Sequence, residues 1–121
     1  MKTIAVVGMS PKPERPSHYV SVYMIQNGYN IIPVNPGHNS IMGKTSYSSL
    51  LDIKENVDIV NVFRRSEYVL PIINDAVSIK AKAVWLQDGV ISEEGEKIAK
   101  ENEMLFIMND CLLRRHKQYN G

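Results

Sequence analysis

Lys12 and Arg15 stand in the loop Gly8-Met9-Ser10-Pro11-Lys12-Pro13-Glu14-Arg15-Pro16-Ser17, directly after the apolar run Ile4-Ala5-Val6-Val7. Two cations, the hydroxyls of Ser10 and Ser17 and a glycine at a strand end are the parts of a phosphate site. Gly8 lets a ligand approach the backbone closely and permits positive φ. A helix beginning at the far end of the loop would turn its N–H groups and dipole toward the same spot. The loop is not Gly-x-Gly-x-x-Gly, because it holds one glycine and three prolines. Pro11, Pro13 and Pro16 stiffen it and donate no N–H, so Lys12 and Arg15 have to supply the charge. A rigid connector with solvated charges is the plainer use of the same residues.

Three further segments offer groups of the same kind. In Val34-Asn35-Pro36 no acid stands where an NAD-binding domain places one for the ribose hydroxyls. His38 and Lys44 follow, basic residues suited to a phosphorylated ribose, although each is also an ordinary surface residue. Phe63-Arg64-Arg65 pairs an aromatic ring for a base with guanidinium groups for phosphate oxygens. In Trp85-Leu86-Gln87-Asp88-Gly89, Gln87 is the candidate ligand contact, and Asp88-Gly89 reads as a turn. No nucleophile–base–orienter set is visible among Cys111, His116 and His18, and no His, Cys and carboxylate spacing suits a metal. No catalytic residue and no metal ligand is therefore assigned.

These segments need elements that bring them together. The pattern predicts strands over 3–8, 30–34, 57–63, 83–87 and 104–108. Helices are expected over 17–27, with Ser17 as N-cap and Gly28 as stop, over 66–80 and from Ser92 onward. Residues 36–45 read as a loop, 46–51 as a helical turn and the basic end as a short tail. Val69, Ile72, Ile73, Ala76 and Val77 recur at three-and-four spacing, so the 66–80 helix buries one face. Strands alternating with helices predict an α/β fold, a parallel five-stranded sheet with helices on both faces. Ligands bind such sheets at the carboxyl ends of the strands, where all the candidate segments fall.

Composition narrows the partners. The chain has 121 residues, the size of one domain spanning 1–121. Its net charge of +1 gives no general attraction to nucleic acid or an anionic membrane, so an anion site has to be local. Cys111 is the sole cysteine, which suits a reducing cytoplasm. The first strand begins at the start, so no signal peptide is expected, and no apolar run nears the ~20 residues of a membrane span.

With these segments in view, the chain resembles the small stand-alone CoA-binding proteins of the YccU-like kind. The resemblance covers nearly the whole chain. It rests on the 8–17 loop, on Pro33-Val34-Asn35-Pro36, on Leu50-Leu51-Asp52-Ile53, on Val57-Asp58-Ile59-Val60-Asn61-Val62-Phe63-Arg64-Arg65-Ser66-Glu67 and on Ala81 through Val90. It implies a Rossmann-like, doubly wound domain similar to the CoA-binding part of the succinyl-CoA synthetase α-subunit. By that similarity the cofactor is coenzyme A, bound free or as acyl-CoA. Its pyrophosphate would lie on the Gly8–Ser17 loop, with Asn35, Pro36 and Lys44 by the adenosine and its 3′-phosphate. Phe63 and Arg64 would line the adenine or pantetheine path. The synthetase's catalytic histidine lies in a domain this chain lacks, so the resemblance implies binding rather than ligation. The end of the chain departs from the family pattern, with Met108-Asn109-Asp110-Cys111 and then Arg114-Arg115-His116. Two other readings stay open: an NAD(P)-binding redox-sensing module, and an enzyme or ligase subunit acting on CoA thioesters through Cys111.

Overall fold

The computed structural model describes residues 2–120. In chain order the elements are β1 (Thr3–Val7), α1 (Pro16–Gln26), β2 (Asn30–Val34), β3 (Ser40–Ile41), β4 (Lys44–Thr45), β5 (Ile59–Val62), α2 (Val69–Ser78), β6 (Ala83–Leu86), α3 (Glu93–Glu101), β7 (Leu105–Ile107) and α4 (Leu112–Asn120). Short 3-10 turns at Leu50–Asp52 and Ser66–Tyr68 precede β5 and α2.

Five strands form one sheet in the order β2-β1-β5-β6-β7, with every pairing parallel. The chain runs outward from β1 to β2, then crosses back to β5 on the other side of β1. This makes a Rossmann-like α/β sheet whose switch point lies between β1 and β5. Alternate strand residues point to opposite faces. Ala5, Val7, Val60, Val62, Val84 and Leu86 pack with Val69, Ile73 and Ala76 of α2 and Ala99 of α3. Ile4, Val6 and Ile31 face the other way, toward Val20 and Met24 of α1 and Leu112 of α4. Pro33 is accommodated because β2 is an edge strand of this sheet. No helix among the described residues is long and apolar enough to cross a membrane.

Three local expectations are corrected. Ser17 does not cap α1. The helix starts at Pro16, with Arg15 as an extended N-cap at φ −81° and ψ 140°. The proline ring presets the first helical φ and bars its predecessor from helical geometry, so it moves the boundary back one residue. The 36–45 loop contains a small antiparallel hairpin, β3 with β4, anchored by the buried Ile41. The basic tail is a helix, α4. Leu112 and Leu113 pack beside α1, and the Tyr23 hydroxyl shares a 2.8 Å hydrogen bond with His116 Nδ1. Ser92 does cap α3 as expected, its Oγ accepting from the Gly95 N–H at 3.0 Å.

Candidate functional site

Register aligns the ends of the central strands. Val7 stands beside Val34 on one side and Val62 on the other, and Val62 beside Leu86. The next residue of each strand, Gly8, Asn35, Phe63 and Gln87, therefore forms a row along the carboxyl edge. Backbone bonds continue past the strands: Gly8 N–H donates to Val34 O at 2.8 Å and Phe63 N–H to Val7 O at 2.9 Å. Above this row opens a cleft of about 690 Å³, within the range of small-molecule sites.

Gly8 turns the chain at φ +84°, and a Cβ there would lie 2.6 Å from Phe63 O and 3.2 Å from Arg64 Nε. Only glycine fits both the conformation and the space. Met9 is fully buried and ties the loop to the core. The loop then closes on itself. Ser10 N–H donates to Ser17 Oγ at 2.9 Å, Lys12 N–H to Ser10 Oγ at 3.1 Å and Arg15 N–H to Lys12 O at 3.1 Å. His18 Nδ1 shares a 2.9 Å hydrogen bond with Ser10 O. These bonds consume backbone donors that a glycine-rich loop would offer to phosphate. Ser10 and Ser17 thus shape the loop, and charge is what it presents.

That charge has no carboxylate partner among the described residues. Among the described residues no carboxylate lies within 4.0 Å of the charged groups of Lys12, Arg15 or Arg64, all on the cleft wall. Arg65 also reaches the cleft but lies 3.9 Å from Glu67 in an exposed pair, which contributes little. Asn35 replaces the ribose-binding acid with an amide that is already committed. Its Nδ2 donates to Met9 O at 2.8 Å and its Oδ1 accepts from Gly37 N–H at 2.9 Å. Gln87 sits on the cleft floor, almost buried.

Ten expected residues meet at this cleft: Gly8, Ser10, Lys12, Arg15 and Ser17 with Asn35, Phe63, Arg64, Arg65 and Gln87. Two stand apart. Pro36 lines a separate cavity of about 180 Å³ on the α2 side of the sheet, and Lys44 lies on the hairpin strand β4, outside the cleft lining. His38 is on the cleft wall, so of the two basic residues after β2 it is the one beside the cleft. Tyr19, Val90 and Cys111 also line the cleft. Their spacing carries no signal, because α1, the β6 loop and the β7 loop converge only in three dimensions.

Charge beside Cys111 is internally paired. Arg114 bridges Asp88 at 2.9 Å and Asp110 at 2.8 Å, and Arg115 Nε also donates to Asp110. The Arg114 hydrogen bonds hold the Asp88 carboxyl below its ordinary range against partial desolvation. At Asp110 burial works to raise the pKa, but hydrogen bonds from Arg115, the Cys111 N–H and Arg114 outweigh it and leave the carboxyl lowered. The two arginines are thus spent on carboxylates and pin α4 beside the cleft.

Residues 2–117 match the family described as CoA binding domain. The chain is 43% identical to the uncharacterized protein YneT of Bacillus subtilis over 95% of its own length and 85% of that protein. It is 31% identical to the ADP-forming acetate–CoA ligase II of Archaeoglobus fulgidus, covering 82% of this chain but only 15% of the ligase. A solved structure of a hypothetical protein from Pyrococcus horikoshii superimposes with a TM-score of 0.96 at 35% identity, over 99% of this chain and 84% of that one.

Proposed function

The chain belongs to the CoA-binding domain family, and on that premise we propose that residues 1–121 act as one domain that binds coenzyme A or an acyl-CoA in the carboxyl-edge cleft. The pyrophosphate lies against the Gly8–Ser17 loop, paired with Lys12, Arg15 and Arg64. The adenosine 3′-phosphate lies toward Asn35 and His38, and the pantetheine arm runs past Phe63 toward Gln87 and Cys111. The observation that carries this reading is the set of three cations around Gly8 with no carboxylate partner among the described residues. Unpaired cations on a concave wall suit a polyanionic ligand. The amide of Asn35 at the β2 end speaks against NAD, whose ribose diol calls for an acid there.

The chain binds without turnover of its own in this reading, in the cytoplasm that its single cysteine suits. The relative from Archaeoglobus is named as a ligase, and this chain spans 15% of its length. Cys111 supports the competing thioester-enzyme reading by its place in the cleft. A nearby cation or a helix N-terminus activates a thiol; Arg114 and Arg115 are instead paired with Asp88 and Asp110, whereas Cys111 directly precedes α4.

Native mass spectrometry of the protein purified from its own cells tests the proposal directly. A bound mass matching CoA or an acyl-CoA supports it. A bound nicotinamide dinucleotide, or calorimetry that detects NADP but not CoA, rejects it.

A further inference from the structure

Asn61 lies beneath the cleft and belongs to none of the loops that face it. It is the third residue of β5 and 1% exposed, and its Oδ1 accepts a hydrogen bond from Nε2 of Gln87, itself 5% exposed. Asn61 pairs in register with Trp85, two residues before Gln87. Both amides therefore stand on the sheet face that α1 and α4 cover.

A carboxamide has an oxygen that accepts and a nitrogen that donates. With one Nε2 hydrogen committed to Asn61, the amide plane is fixed, and Gln87 keeps Oε1 and a second N–H. Among the described residues no donor reaches Oε1, and no buried side-chain nitrogen or oxygen lacks a partner, so this oxygen is accessible. Gln87 lines the cleft, and that is where its access leads.

The geometry points to Asn61 as a positioning residue. By holding Nε2, it turns the Gln87 carbonyl into the cleft, where the carbonyl selects a ligand group that donates an N–H. This rests on the CoA reading, and the secondary amides of a pantetheine arm are donors of that class. A phosphate or carboxylate oxygen has no proton to give and is repelled by Oε1. Gln87 is two strands from Gly8, about 10 Å at the ordinary spacing. Phosphate recognition at Gly8 and amide recognition at Gln87 thus divide one extended ligand between them, and the Asn61–Gln87 pair discriminates pantetheine-bearing ligands from bare nucleotides.

Wild type, Gln87→Met, Asn61→Leu and Asn61→Asp are titrated by calorimetry with CoA and with adenosine 3′,5′-bisphosphate, which lacks the pantetheine arm. The readout is the ratio of the two affinities, in which general effects of folding and charge cancel. Gln87→Met and Asn61→Leu are expected to lower CoA affinity about tenfold and leave the bisphosphate unchanged, the scale of one hydrogen bond. Asn61→Asp keeps an oxygen for Nε2 and is expected to hold the ratio within about threefold of wild type. A ratio unmoved by Gln87→Met and Asn61→Leu overturns the inference while the CoA reading stands. So does a larger loss in Asn61→Asp than in Asn61→Leu, since a mere packing role tolerates leucine better than a buried charge. A wild type that binds the bisphosphate but not CoA overturns both.

Discussion

The α-carbon of Gly8 faces the carbonyl of Phe63 so closely that a side chain's first carbon would stand 2.6 Å from the oxygen. This contact joins β1 to β5 at the switch point and sets the floor of the cleft. Gly8→Ala is expected to cost about 1–3 kcal/mol, from left-handed strain and from the displaced Phe63 carbonyl. Chemical denaturation measures it, and a variant as stable as its parent contradicts the geometry.

Lys12 and Arg64 are the cations to test for anion binding. Lys12→Ala or Arg64→Ala is expected to weaken CoA binding by about 1.5–3 kcal/mol each, the worth of a hydrogen bond to a charged group. Cys111→Ser is expected to leave affinity nearly unchanged. Calorimetry under reducing conditions compares all three without a mixed disulfide imitating affinity. The reverse pattern, with binding lost only in Cys111→Ser, moves the functional site to the β7 loop.

The two basic residues after β2, His38 and Lys44, separate by position. His38 is on the cleft wall and Lys44 is not. Dephospho-CoA, which lacks the 3′-phosphate, is expected to bind wild type more weakly than CoA. His38→Ala should shrink that difference, whereas Lys44→Ala should preserve it. Affinities of both ligands for both variants decide the matter, and an effect confined to Lys44→Ala would bring β4 over the cleft mouth in the bound state.

Asp58 gives a pH dependence at the opposite sheet edge. Its carboxyl is held down from 3.8 to about 2, chiefly by the Thr3 N–H, then by the Lys2 N–H, with Lys82 adding to them against desolvation. The folded pKa is below the unfolded one, so the ionised group stabilises fully above about pH 4 and loses that contribution as pH falls toward about 2. Asp58→Asn is expected to cost about 1–2 kcal/mol at pH 7. Denaturation at a series of pH values should show the two proteins converging below pH 4. A gap unchanged down to pH 2 would mean that the carboxylate's charge is not what joins β1 to β5 there.

Much of the fold was legible along the chain, because a buried parallel strand leaves a local mark. Ile4-Ala5-Val6-Val7 is a continuous apolar run ended by Gly8, and Val57 through Phe63 is apolar but for Asp58 and Asn61 and ends at Arg64. Parallel strands separated by helices must end on one edge, so the alternation alone brought Gly8, Asn35, Phe63 and Gln87 together. Helix α4 left no such mark. Arg114, Arg115 and Lys117 outnumber its buried residues, and it is held to Asp88 by an ion pair and to Tyr23 by a hydrogen bond, partners distant in sequence, besides the ion pairs to Asp110 just before its start.

The sequence by itself determined the sheet, the edge on which the candidate residues gather and the cations of the loop. Tertiary structure decided how those groups are used. Whether an N–H is free depends on which oxygen folds against it, and the Ser10 N–H is taken by Ser17 seven residues on. Whether His38 or Lys44 faces the cleft depends on a hairpin whose register no periodicity encodes. The partnership of Asn61 with Gln87 depends on two strands lying side by side with 26 residues between them. A strand reports its own burial through its composition, but a side chain's partner is set by packing across the sheet, which no local spacing records.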